Sequence, residues 1–334
     1  MLHMHLTPLE RKAFDRGDMP PPSSRIWKRG AFAATFGDAF VEGTDLEGGL
    51  IAPSLKVMSD TLHRVVARGT DMELDDKTTS AILCFASKCA RGAGFDKVRS
   101  VGRRIFRTLL TAFCMLLAQW DRFEIPEYLE RLHGYLESLK PGDYAVLPGG
   151  TWRPRAVCGV CPPHHANCLD LAGWRTGAGG HAIINVVERN ADGSARFTVC
   201  NSGQGLGYHP QSTKSYPSMA ALGSMSLDNI PWSRVVDPGF LFSLVNLFTN
   251  NRSHESVGYF YDVLMPHLAG EPLNTAVART EQVQDWDTPQ RAGTCFYRCC
   301  LVALRYCLRR AGLTKVQVKS TKLAMRVEFM RWAL

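Results

Sequence analysis

The sequence predicts an α+β fold in which an antiparallel sheet packs on a central helix that carries a cysteine in its first turn. Three observations predict it: an almost unbroken apolar run after Cys295, a β-hairpin pattern over 181–200, and amphipathic helical periodicity over 54–139. The chain has 334 residues with a hydrophobic content of 45%, which is enough for a large core. We expect an irregular lead-in over 1–53, a helical subdomain over 54–140, and a third domain that carries the cysteine helix over 141–334. That last range would hold an insertion at about 205–280.

Composition excludes several classes of function. The sequence has no run of 18 apolar residues, so no membrane-spanning helix is expected, and the N-terminus lacks the apolar core of a signal peptide. The eleven cysteines lie mostly in apolar surroundings, which favours reduced thiols in the cytoplasm or nucleus. Association with a membrane is therefore not predicted.

The charge is unevenly distributed. The net charge is +8, and residues 290–334 hold ten Lys and Arg against one acidic residue, so the remainder of the chain sums to −1. A chain with this distribution is not a general nucleic-acid binder, and no nucleic-acid partner is predicted. The final segment stops in a helical pattern without a cap, which predicts that the chain is part of a longer polypeptide.

Four segments of the N-terminal half have helical periodicity. They are 54–67, 76–91, 98–119 and 124–139. The composition then changes. Tyr144–Gly150 is typical of a short strand that ends in a turn, and two later apolar segments, 240–249 and 257–268, are of uncertain type.

The clearest β signal is a hairpin with an Asp192-Gly193 turn. Its strands are predicted over 181–188 and 195–200. With the turn centred between Ala191 and Asp192, His181 lies opposite Ser202 and therefore beside Asn201. Glycines precede the histidine and follow the asparagine, including Gly179, Gly180 and Gly203, and they let a backbone or an extended substrate approach closely.

The stretch 285–311 predicts a buried helix that begins at or just before Cys295, with Thr294 as its N-cap and Gly312 as its stop. Its charges, Arg298, Arg305 and Arg309, form one stripe. A thiol at the start of a helix is favoured as the thiolate, which is the nucleophilic form, because it lies at the positive end of the helix dipole. Cys295 therefore predicts a nucleophile, His181 its base, and Asn201 the group that orients the base.

The order His181, Asn201, Gln290, Cys295 resembles that of papain-like cysteine peptidases, in particular the ubiquitin-like-protein proteases and adenovirus-type peptidases. The resemblance implies a papain-like core and a thiol-dependent deubiquitinase or isopeptidase that needs no cofactor. It implies that Gln290, five residues before Cys295, helps to hold the oxyanion.

The implied partner is ubiquitin or a ubiquitin-like modifier with a Gly-Gly end. Trp174 and the glycines at 179, 180 and 203 would line a narrow substrate channel. One alternative keeps the same triad but transfers the acyl group to another acceptor.

A second alternative is a non-catalytic interaction domain. Cys158, Cys161, His164 and Cys168 offer thiols and an imidazole at a spacing that includes a C-x2-C pair, which is typical of zinc sites. The chain contains no second C-x2-C pair, so a loop of reduced thiols is the competing interpretation.

Overall fold

An antiparallel four-stranded sheet forms the middle of the molecule. The computed structural model describes residues 51–68, 74–94, 117–151, 181–212, 220–249, 255–289 and 295–333. The strands are β1 (Tyr144–Thr151), β2 (His181–Arg189), β3 (Ser194–Cys200), β4 (Ala221–Leu222), β5 (Ser224–Pro231) and β6 (Trp286–Asp287). The sheet has the order β1-β2-β3-β5, and β4 pairs separately with β6. The predicted α+β class, with an antiparallel sheet, is confirmed.

The helices surround this sheet. They are α1 (Ile51–Ala67), α2 (Asp76–Gly94), α3 (Leu117–Glu137), α4 (Trp232–Val235), α5 (Pro238–Thr249), α6 (Glu255–Gly258), α7 (Met265–Ala269), α8 (Leu273–Arg279), α9 (Cys295–Arg310) and α10 (Lys315–Ala333). A π-helical segment, Tyr259–Leu264, joins α6 to α7. The helices predicted over 54–67, 76–91 and 124–139 are confirmed, and the two apolar segments of uncertain type are helical. Most of the helix predicted over 98–119 lies outside the described residues.

The predicted hairpin is present, but its register is one residue later than predicted. Ile184 pairs with Cys200, whereas the predicted turn centre pairs Ile184 with Val199. The reason is a three-residue loop: Asn190 N–H donates to the Ser194 carbonyl at 2.8 Å, and Gly193 has a φ of +85°. A glycine in the left-handed region accommodates one more loop residue than a two-residue turn holds.

Two hydrophobic cores lie on opposite faces of the sheet. The first joins α1, α2, α9 and α10 to one face, where Leu62, Val186 and Leu304 are buried together. The second joins α3 and the helices of residues 232–279 to the other face, where Phe197 contacts Phe240 edge to face at 5.9 Å. The sheet is therefore buried on both sides between layers of helices.

The first core and the sheet each combine elements from different predicted parts of the chain. Helices α1 and α2, from the predicted helical subdomain, share the first core with α9. Strand β5, inside the predicted insertion, pairs with β3 as the fourth strand of the sheet. The domain boundaries themselves stay a prediction.

Helix α9 is the central element of the first core. It begins at Cys295 and ends at Arg310, and Gly312 follows with a φ of +82°, as the sequence predicts. The predicted N-cap, Thr294, lies outside the described residues. The arginine stripe contacts polar groups: Arg305 forms an ion pair with Asp287, and Arg298 donates to the Thr288 carbonyl at 3.2 Å. In the described ranges, no helix is both long enough and apolar enough to span a membrane.

Candidate active site

The hairpin brings His181 and Asn201 into direct contact. His181 is the first residue of β2, and Asn201 directly follows the last residue of β3. The imidazole Nε2 lies 2.6 Å from the Asn201 Oδ1. His181 is 6% exposed and Asn201 is fully buried, so water does not compete effectively for this bond. The prediction that these side chains lie side by side is confirmed, while their catalytic role stays a prediction.

The orientation of the Asn201 amide follows from its neighbours. The Gly203 N–H can only donate, and it lies 2.9 Å from Oδ1. The Gln204 carbonyl can only accept, and it lies 2.8 Å from Nδ2. A third contact joins Nδ2 to the Tyr261 hydroxyl at 3.0 Å. Oδ1 is therefore the atom that faces His181.

This orientation fixes the tautomer of His181. Because Oδ1 accepts, Nε2 must carry the proton in the neutral imidazole, and the lone pair that can take a proton is on Nδ1. Burial lowers the pKa of His181 to about 4, although the bond to Asn201 acts in the opposite direction. The side chain is therefore neutral near physiological pH, which is the form that a general base needs.

Cys295 lies where the start of α9 meets the start of β2. Its side chain is buried, and its Sγ accepts a hydrogen bond from the Ala182 backbone N–H at 3.4 Å. Ala182 is the residue after His181, so the thiol lies at the same end of the sheet as the imidazole. The backbone donor and the helix N-terminus both stabilise a negative charge on the sulfur.

Cys295 shares its burial with the other thiols of α9 and differs from them in its place at the helix start. Cys299 and Cys307 are buried in the first core, where burial raises their pKa well above the ordinary value. A raised pKa keeps a thiol protonated and unreactive. Among these three thiols, Cys295 is the one at the helix N-terminus.

Strand β1 approaches the site closely through a glycine. Gly150 pairs with Ala182, and its φ is +143°. A Cβ at this position would lie 2.1 Å from the His181 carbonyl oxygen. A side chain there would push β1 away from β2, so Gly150 allows the backbone contact that supports the His181 end of the strand.

Several predicted site residues fall outside the described part of the chain. They are Gln290, Gly179, Gly180, Trp174 and the four residues of the zinc alternative, Cys158, Cys161, His164 and Cys168. The oxyanion role of Gln290, the substrate channel and the zinc loop stay predictions. Gly203 is described, and it contributes its N–H to Asn201. Within the described ranges there is no group of three or more residues that could hold a metal ion.

Two residues linked to this site by hydrogen bonds, Tyr261 and His209, were not predicted from the sequence. Tyr261 reaches Asn201 from the π-helical segment, 60 residues away. His209 comes a few residues after Asn201 in the sequence, and its Nε2 lies 3.1 Å from the Tyr261 hydroxyl. A histidine in the glycine-rich segment after Asn201 was a signal available in the sequence, whereas no local pattern indicates Tyr261.

The comparisons with known proteins identify no relative. No protein-family description, curated protein or solved structure matches the chain.

Proposed function

We propose that the chain is a thiol-dependent isopeptidase that cleaves after the C-terminal glycine of ubiquitin or a ubiquitin-like modifier. The observation that carries the proposal is the buried 2.6 Å bond between His181 and Asn201, together with the Cys295 thiol at the Ala182 backbone. A base, an orienting amide and a nucleophile at a helix N-terminus are the three groups that thiol catalysis needs.

The reaction would proceed in two halves. The Cys295 Sγ attacks the carbonyl carbon of the terminal glycine while its proton passes to the His181 Nδ1. The C–N bond breaks, and the same proton passes from Nδ1 to the leaving amine. A water then attacks the thioester while His181 takes one of its protons. The C–S bond breaks, that proton passes from His181 to the sulfur, and the acid formed loses its other proton to solvent as a carboxylate.

Proton transfer needs the Nδ1 atom within hydrogen-bond reach of the sulfur. The described residues show no hydrogen bond between these two atoms, and such bonds often form only when substrate binds. The tautomer is already the required one, since Asn201 holds the proton on Nε2.

Burial of the thiol favours a substrate without bulky side chains beside the scissile bond. Cys295 has no exposed surface, so a bulky side chain beside the scissile bond would have to displace part of the core. A tail that ends in two glycines has no side chain there. The choice of ubiquitin within this class rests on the resemblance of the sequence to deubiquitinase-type peptidases.

A ubiquitin derivative with a C-terminal electrophile tests the proposal. We expect one covalent adduct, located at Cys295 by mass spectrometry, and none with Cys295→Ala. His181→Gln should slow capture by about 10²-fold or more, because the thiol loses its base. Cys299→Ala is the matched control on the same helix and should be captured at the wild-type rate. Capture at Cys299, or cleavage of a ubiquitin amide by Cys295→Ala, would contradict the proposal.

A cleavable ubiquitin amide, used in place of the electrophile, separates hydrolysis from acyl transfer. A ubiquitin thioester on Cys295 that yields free ubiquitin in water is the outcome expected for the isopeptidase. Preferential transfer to an added amine, with little hydrolysis, would assign the triad to an acyltransferase instead.

A further inference from the structure

A second buried histidine lies at the far end of the Asn201 amide, linked to it through a tyrosine. The Asn201 Nδ2 lies 3.0 Å from the Tyr261 hydroxyl, and that hydroxyl lies 3.1 Å from the His209 Nε2. The His209 Nδ1 lies 2.8 Å from the Leu222 carbonyl oxygen. Tyr261 and His209 are each 2% exposed. The His181–Asn201 pair is therefore one end of a longer buried chain of hydrogen bonds.

In this series of hydrogen bonds, the neighbouring groups determine which atom donates and which accepts. The Leu222 carbonyl can only accept, so the His209 Nδ1 must carry a proton. Burial lowers the pKa of His209 to about 4, so the ring is neutral near physiological pH and its Nε2 is an acceptor. The Tyr261 hydroxyl must then donate to Nε2, which leaves its oxygen free to accept from the Asn201 Nδ2.

The same reasoning assigns donor and acceptor in the bonds from Tyr261 through Asn201 to His181. Since Nδ2 donates to Tyr261, the Asn201 Oδ1 faces His181 and accepts from its Nε2–H. The backbone at Gly203 and Gln204 favours the same amide orientation. Tyr261 adds an acceptor for the second Nδ2 proton, which would otherwise be buried without a partner.

Tyr261 is held in place from several sides. It lies in the π-helical segment Tyr259–Leu264, and π-helical turns are frequent at functional sites. The Tyr208 ring stacks on it at 4.6 Å with an interplanar angle of 6°. Gly205 lies against its edge, where a Cβ would come within 2.5 Å of the Cε2 atom. The hydroxyl therefore has little freedom to leave Asn201.

We propose that Tyr261 and His209 are positioning residues of the candidate active site, which act through Asn201 to hold His181 as the Nε2–H tautomer. The proposal rests on the proposed function for the use of this tautomer in catalysis. The chain of hydrogen bonds itself does not depend on that function.

Two readouts test the proposal. Protein labelled with ¹⁵N-histidine gives the tautomer of His181 by NMR, with the signal assigned among the ten histidines by its loss in His181→Gln. The second readout is the rate of capture of Cys295 by the ubiquitin electrophile. If wild-type protein is not captured, the proposed function fails, and the tautomer alone still decides the present proposal.

Tyr261→Phe removes only the hydroxyl. We expect both tautomers of His181 to appear and the capture rate to fall about tenfold, as for the loss of a buried hydrogen bond. Tyr208→Phe is the matched control, because it removes a hydroxyl from the stacked ring that bonds to the exposed Asp262 at 2.7 Å. It should leave the tautomer and the rate as in the wild type. A folded Tyr261→Phe protein with the wild-type tautomer and rate would overturn the proposal.

A pair of variants at His209 gives a test that does not need Tyr261 to be changed. Gln at this position is long enough to present an acceptor near the Nε2 position, whereas Asn reaches only the Nδ1 position. His209→Gln should therefore keep the His181 tautomer and a capture rate within about twofold of wild type, and His209→Asn should behave like Tyr261→Phe. Equal behaviour of the two variants, or the reverse order, would contradict a role for the acceptor.

Discussion

At the scale of single residues, two buried histidines make folding stability depend on pH. Burial lowers the pKa of His181 and of His209 to about 4, whereas an imidazole in the unfolded chain titrates near 6.5. Between these values the unfolded chain binds more protons than the folded chain. The free energy of unfolding should therefore be highest above pH 6.5 and fall as the pH decreases to 4, by up to about 3 kcal/mol for each histidine.

Urea unfolding at a series of pH values measures this dependence. His209→Gln removes one of the two histidine titrations, so the part of the slope that these histidines supply between pH 6.5 and 4 should fall by roughly half. Leu323→Ala, which removes no titratable group at an exposed position on α10, is the control and should leave the slope unchanged. An unaltered slope in His209→Gln would show that this histidine is not held neutral in the folded protein.

At the scale of elements, the turn after β3 packs closely against the π-helical segment at Gly205. This residue has a φ of +91°, and a Cβ there would lie 2.5 Å from the Tyr261 ring. Gly193 has a similar φ of +85° but no atom within 4 Å of the added Cβ. Gly193→Ala should cost about 1 kcal/mol from the backbone alone, and Gly205→Ala roughly 1–3 kcal/mol more.

The two glycine variants also differ in what they should do to the site. Displacing Tyr261 loosens Asn201, so Gly205→Ala should slow capture of Cys295 as well as lower the urea midpoint. Gly193→Ala lies at the opposite end of the hairpin and should lower the midpoint alone. If both variants lost the same stability and kept the same capture rate, the contact between Gly205 and Tyr261 would have no role.

Helix α9 gives a second prediction at this scale. Leu304 is fully buried in the first core, whereas Leu323 on α10 is 56% exposed. Leu304→Ala should lower the free energy of unfolding by about 2–5 kcal/mol, because it removes buried surface and leaves a cavity. Leu323→Ala is the matched control and should stay within about 0.5 kcal/mol of wild type by urea unfolding. Equal losses would contradict a central place for α9.

Helices were predicted well from the sequence, whereas the hairpin register and the contacts between distant elements were not. Helices with a clear apolar stripe, such as α1 and α9, were predictable because periodicity directly reports a buried face. The hairpin register was missed by one residue because a third loop residue at Gly193 has no strong sequence signal. The contact of Tyr261 with Asn201 was not predictable, since it depends on how distant helices pack.

At the scale of the whole molecule, the site depends on a layer of helices that comes from the N-terminal half. Cys295 and other buried residues of α9 share the first core with Leu62 of α1 and Phe85 of α2. Strand β2 also contacts α9, and its Ile184 belongs to the same core. Without α1 and α2, the helix that carries the thiol would have one apolar face exposed to water.

A fragment of residues 141–334 tests this dependence. It contains every residue of the proposed triad, yet it lacks the buried side chains of α1 and α2 that complete the first core. We expect it to lose cooperative urea unfolding and capture of Cys295, with the full chain as the control. Adding residues 1–140 in trans should restore both in part, because the same core can re-form between two chains. A fragment that unfolds cooperatively and is captured at the wild-type rate would show instead that the N-terminal helices form a separate domain.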